Sequence, residues 1–382
     1  MTAFLAMVLD AYRELNAKKL FWITLGLSGL VVLVFGSIGF DEQGMSVLFG
    51  ITRVDSEYIN STTPWARALY VGIFSDFIVA IWMSWIAIIL ALISTCTIFP
   101  DFLAGGAIDL VLSKPIHRAS IFAMKFGMSL MFVVLQVLVF CAGIFVCIGL
   151  RIGEWNWMIF AAVPVVTVFY SYLFAVCVFA GVFTRSAITA LLLTMLFWFS
   201  LWGMQTAEGT LQQFRIRFEI QAENAQREIE SLETRLAALA PDTDDPDTND
   251  PGKVFARTDF ERRLEVQRGK LETHNAAVTS LGRWHGPTRV MMLIMPKTQL
   301  TVGLLSRWLK DPDGFSITGM MRGDMTGKGT SSLIPDRVDV EVTRRLEEKL
   351  DSYSGWYIIG TSLAFEAVVL VLACVIFIRR DF

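Results

Sequence analysis

Two carboxylates stand inside apolar runs of this chain, Asp76 within residues 70–98 and Glu366 within residues 356–378. A charged side chain at the centre of a bilayer costs about 2.5 kcal/mol or more unless it is paired or compensated. Glu366 lies ten residues beyond Trp356, or roughly 15 Å along a helix, so it must be neutral or face protein. Two roles stay open for it: lining a transport path or coupling helix movements, or forming a protonated hydrogen bond to a neighbouring Ser or Thr. Asp76, one or two turns from the outer end of its run, can reach interfacial water.

Chemistry of the soluble kind finds no support. Gly323 to Gly327 and Lys328 resemble a phosphate loop, but three residues separate the glycines instead of four, and Gly329 stands where Ser or Thr is required. The three histidines (His117, His274, His285) form no HExxH motif and pair with no nucleophile. All five cysteines (Cys96, Cys141, Cys147, Cys177, Cys374) fall in apolar runs without a CxxC pair, which excludes a zinc site and a disulfide framework. The Asp- and Pro-rich stretch 241–252 suits a solvated tip. Read as a calcium loop from Asp245, it has Asp250 in place of the central Gly and Ala256 in place of the closing acid. No catalytic residue, metal site or cofactor is expected.

The elements that must position these groups are set by composition. The chain has 382 residues, 54% hydrophobic and only 18% charged, with 29 Phe and 11 Trp, which calls for lipid as solvent. A net charge of −3 with dispersed basic residues leaves no nucleic-acid footprint. Six apolar runs, 20–40, 70–98, 126–150, 157–183, 187–204 and 356–378, reach the length of a bilayer core, predicting an all-α integral membrane protein with six transmembrane helices. An even number puts both termini on one side. Short loops and flanks on that side hold Arg13, Lys18, Lys19, Lys114, Arg118, Lys125, Arg185, Arg379 and Arg380, against Arg53, Arg67 and Arg151 on the other. The asymmetry places both termini in the cytoplasm, with Trp155, Trp157, Trp202 and Trp356 at the outer interface. The first run lacks a small-residue cleavage site and reads as a retained span.

Residues 1–19 place Phe4, Leu5, Val8, Tyr12 and Leu15 at helical spacing, predicting a cytoplasmic interfacial helix before the span region 20–204. Residues 205–355 form an extracytoplasmic insertion between spans five and six. Within it, one heptad series runs through Phe218, Ala222, Ala225, Ile229, Leu232, Leu236 and Leu239, and a second through Phe260, Leu264, Leu271, Val278 and Leu281. Two such series predict an antiparallel coiled-coil hairpin over 208–284, with Arg215, Gln267 and His274 as polar interruptions of its seam. The segment 285–355 carries short amphipathic helices near 300–309 and 338–350, suited to the outer membrane surface. Residues 356–382 are the last span and a basic cytoplasmic tail.

The link between spans two and three is the informative stretch. Asp101, Phe102, Gly105, Ile108, Leu110 and Leu112 belong to a short helix over 101–113 that is too apolar for a free loop, ended by Lys114-Pro115 before His117 and Arg118. Such a helix either rests on the lipid interface or docks on a partner. The run Leu112-Ser-Lys-Pro-Ile-His-Arg118, followed by Lys125, resembles the signature of ATP-binding-cassette (ABC) transporter permeases of the type-2 exporter class, in particular the subgroup similar to multi-copper enzyme maturation permeases. The interfacial helix, the six-span layout and the ending Phe377-Ile-Arg-Arg-Asp-Phe382 share the resemblance, while the long hairpin departs from it. The resemblance implies a coupling helix at Asp101 to Leu112 docking on a separate ATPase that binds the ATP. It also implies a permease homodimer or a pair with a paralogous permease, in a bacterial cytoplasmic membrane. A mechanical role, with the hairpin acting on an extracytoplasmic partner and no solute moved, is the alternative.

Overall fold

The structure, a computed structural model, describes residues 19–41, 44–47, 50–55, 81–103, 117–153, 155–239, 251–309 and 337–379. The interfacial helix 1–19 (save Lys19), Asp76, the acidic tip up to Asp250 and the phosphate-loop-like run fall outside these residues. Among the described residues five helices are long and apolar enough to cross a membrane: Ile81–Leu103, Arg118–Arg151, Trp157–Thr184, Ala187–Ala238 and Gly355–Arg379; a shorter apolar helix, Phe21–Gly36, accompanies them. We label the helices α1 (Lys19–Gly36), α2 (Ile81–Leu103), α3 (Arg118–Ile152), α4 (Ala162–Thr184), α5 (Ala187–Ala238), α6 (Pro251–Ile294), α7 (Thr298–Leu309), α8 (Arg337–Asp351) and α9 (Gly355–Arg379).

Two compact units result. The first takes the described residues within 1–202, 294–326 and 355–382, and the second those within 203–293 and 327–354.

In the first unit α4 is the hub, packed by α2, α3, α7 and α9. Its sequence has no polar face, so every side of it can be buried against neighbouring helices; Tyr170, Tyr172, Leu173, Phe174 and Ala175 are fully buried. α4 ends at Arg185 in the left-handed region (φ 56°), whose N–H donates to Gly181 O at 2.9 Å. Such an ending stops a helix within one residue, and the two-residue turn Arg185-Ser186 makes α5 return beside α4. Pro100 packs against α4 at Gly181, where an added Cβ would lie in ordinary contact, 3.4 Å from its ring. Pro100 also explains the break at Cys96–Thr97 in α2, because it has no N–H to donate one turn back. α3 stops where Gly153, at φ 78°, donates to Gly149 O.

A small element of another kind follows α1 in this otherwise helical chain. Gly39–Asp41, Gly44–Val47 and Thr52–Asp55 (β1, β2, β3) form an antiparallel meander in the order β1-β2-β3, with Met45 opposite both Phe40 and Val54. Strands of three or four residues are too short to show an alternating pattern in the sequence.

In the second unit the distal part of α5 and α6 run antiparallel: Phe218 meets His274, Gln267 donates to Glu228 at 2.7 Å, and Arg268 donates to Glu233 at 2.8 Å. On α5, Ala222, Ala225, Ile229 and Leu232 are buried. On α6 the partly buried positions include Phe260, Leu264, Gln267, Leu271, His274, Val278 and Leu281, the alternating three- and four-residue steps of a helix seam. α8 ties to α5 through Arg345, whose Nη1 and Nη2 donate to the two Glu223 carboxylate oxygens at 2.8 and 2.7 Å. The Arg345 guanidinium holds the Glu223 carboxyl below its usual range, and Arg344 with Arg345 holds Glu341 down to about 2.

His274 is the weak point of this seam. Its Nδ1 is buried with no hydrogen bond among the described residues. Replacing His274 with Leu removes an unsatisfied polar atom and fills the same position, so the helical thermal transition of this unit should rise by about 1 kcal/mol of stability, read by circular dichroism. An unchanged or lowered midpoint would show that His274 has a partner the contacts above do not include.

Candidate functional site

Side-chain contacts sort the helix ends of the first unit into two groups. At one end Phe102, near the close of α2, stacks on Phe377, near the close of α9, with ring centroids 6.3 Å apart, and Phe122 of α3 packs on the same Phe377 at 5.8 Å. Arg118 Nη1 donates to Ile378 O at 3.2 Å, and Lys125 Nζ lies 5.5 Å over the Phe102 ring. The close of α4 and the start of α5 join them through Gly181, Pro100 and Ala190. At the other end, Arg151 of α3 donates to Gly36 O of α1 at 3.0 Å, and Leu304 of α7 meets Gly355 at the start of α9.

The predicted coupling residues divide accordingly. Asp101 is exposed and Arg118 holds the α9 terminus. Phe102, expected on an exposed docking face, is instead buried at 7% exposure in the chain's own core, because the aromatic rings of α3 and α9 offer it a closer apolar surface. Gly105, Ile108, Leu110, Leu112, Lys114 and Pro115 lie outside the described residues, between flanks that both sit at this end.

Deeper in the bundle, Glu366 of α9 is buried and its Oε2 accepts from Ser171 Oγ of α4 at 2.7 Å. The side chain therefore faces protein, and it has the hydroxyl neighbour that a structural role requires. Ser171 Oγ also lies 2.8 Å from Val168 O, so one hydroxyl proton serves two acceptors. A polar ladder leads away from Glu366 along α9. Ser362, one turn earlier, accepts from Lys297 N at 3.0 Å; Thr361 accepts from Lys297 Nζ at 3.0 Å, and that ammonium lies 3.7 Å over the Tyr357 ring. Tyr172 of α4, fully buried, faces Ser362, Thr301 and Glu366. Its hydroxyl has no hydrogen bond of ordinary geometry among the described residues. α7, expected on the outer membrane surface, buries Thr298, Thr301, Leu304 and Leu305 and packs on α4 and α9.

A second polar position lies on α3. Gln136 of α3 is 3% exposed, and neither its amide nitrogen nor its amide oxygen is paired among the described residues. Leaving an amide unpaired in an apolar setting costs roughly 2–7 kcal/mol. Sequence reasoning passed over Gln136, although it is the one amide in the apolar run 126–150. It also missed Ser171, Tyr172 and Lys297, for which no local pattern gives a signal: the partner of Ser171 is 195 residues away.

Comparison with protein-family models, with curated proteins and with solved structures finds no match.

Proposed function

We propose that this chain is the permease subunit of an ABC transporter of the type-2 exporter class, moving a substrate across a bacterial cytoplasmic membrane with a separate ATPase that binds and hydrolyses ATP. The chain itself is non-catalytic and needs no cofactor. α1 serves as a short first span beside the five longer ones, giving six spans with both termini in the cytoplasm. Two copies, or one copy with a paralogous permease, form the pathway, and residues 208–284 form an extracytoplasmic coiled-coil hairpin. The observation that supports this most is the sorting of helix ends: Arg118, Lys125, Arg185 and Arg379 belong to helix ends of one group, the group that also holds both flanks of the link 104–116. A basic end with an apolar link between two spans suits a cytoplasmic docking surface.

The test separates docking from folding. Leu110→Asp places a carboxylate where an apolar side chain would enter an ATPase cleft, and should weaken co-purification of the candidate ATPase by about 100-fold while abolishing permease-stimulated ATP hydrolysis. Full association and stimulation in this variant would remove the coupling role.

One observation favours the mechanical alternative enough to keep it. α5 runs without a break from its apolar first turns to Ala238, so one continuous helix carries both an apolar run and an arm of the hairpin. Deleting residues 211–281 decides: retained transport supports the permease, whereas lost partner binding with intact ATPase stimulation supports the mechanical reading.

A further inference from the structure

The unpaired Gln136 amide opens on a cavity. Space available to the centre of a water molecule there is about 10 Å³, and the walls include Ser28 of α1, Trp82 and Met83 of α2, and Gln136, Val137 and Phe140 of α3. This is about the room that one water needs. Gln136 carries both donors and an acceptor, and Ser28, buried at 4% exposure, adds a hydroxyl. Among the described residues no charged side chain lines the space, which disfavours an ion there. A buried amide with both functions unpaired calls for an occupant that donates and accepts at once; the space admits one oxygen-sized group beside the amide and is half open, so a small group attached to that oxygen can extend through its mouth.

We propose that this cavity is a binding site for one neutral hydroxyl group, anchored by Gln136 and Ser28, occupied by water in the resting protein and able to take the hydroxyl of an alcohol. The site lies midway along the 35-residue α3 and does not depend on the transporter reading. It differs from the Glu366 ladder, which has its own hydroxyl partners.

Radiolytic hydroxyl-radical footprinting of the full-length protein in lipid nanodiscs tests this. Radicals form from water where it sits, so a buried side chain beside an internal water is oxidised while an equally buried one without water is not. Phe140 and Phe132 supply the comparison: they are two turns apart on α3, 4% and 2% exposed, and only Phe140 lines the cavity. The expected result is several-fold faster labelling of Phe140 than of Phe132, with the added oxygen drawn from the solvent when the sample is prepared in water-18O. Gln136→Leu, or the closer isostere Gln136→Met should Leu fail to fold, brings the ratio to one. Methanol is the alcohol probe, and the Phe140 to Phe132 ratio cancels its scavenging in bulk. A ratio that falls with methanol supports a hydroxyl site open to both sources; a high ratio that methanol leaves unchanged supports a site for water and overturns the alcohol part. Equal labelling of Phe140 and Phe132 in the wild type overturns the site.

Discussion

Phe102→Asp should lower the thermal midpoint of the purified protein sharply, with no ATPase present. The ring is buried between α2, α3 and α9, stacked on Phe377 and capped by Lys125. Removing a buried Phe costs roughly 3–5 kcal/mol, and the carboxylate put in its place adds a desolvation cost that Lys125 offsets only in part. Phe102→Leu, which keeps an apolar side chain, should cost far less. Cys96, Cys141 and Cys177 are buried, so a thiol-reactive dye reports unfolding directly as these residues become accessible. A wild-type midpoint in Phe102→Asp would mean that the ring is not packed as described. The result also governs how coupling experiments are read, because lost ATPase binding in Phe102→Asp would reflect a disrupted helix end and would not bear on the docking proposed for Leu110.

Phe102 marks what the sequence could convey. It is one of several apolar residues on the predicted link, and nothing local shows that it turns inward, since the deciding rings, Phe122 and Phe377, come from other helices. Patterns carried by a single segment were legible. The apolar runs located α3, α4 and α9, and the heptad steps from Phe260 to Leu281 match the partly buried positions of α6, because a seam is written into the spacing of one helix. α3 begins at Arg118, eight residues before its apolar run, since helix propagation needs no apolar residues once started. The β1–β3 meander stayed hidden because each strand is too short to show a period. The surroundings of Glu366 stayed hidden as well: its apolar setting was plain from residues 356–378, but Ser171 and Tyr172 reach it only through the packing of α4 against α9.

Glu366 gives the second large effect, and the chemistry of the replacement decides its size. Glu366→Gln keeps the length of the side chain and an oxygen to accept from Ser171, so its thermal midpoint should stay within about 1 kcal/mol of the wild type. Glu366→Asp draws the carboxyl back by one methylene from a 2.7 Å hydrogen bond, leaving a buried acid short of its partner at a cost of about 1–3 kcal/mol. Glu366→Lys should be the most severe, because Ser171 then faces a donor instead of an acceptor and a cation must sit at bilayer depth, where it costs about 2.5–3.5 kcal/mol or more. The order Gln, Asp, Lys of increasing loss, read by the same thiol-dye transition, is the expected outcome; equal stability of all three would place the side chain against lipid or water. Under the permease reading proposed above, partner-stimulated ATP hydrolysis of the Gln variant separates the two roles. Normal hydrolysis and transport assign Glu366 to holding α9 on α4, whereas a well-folded Gln variant with lost activity assigns an ionisable carboxyl to the transport path.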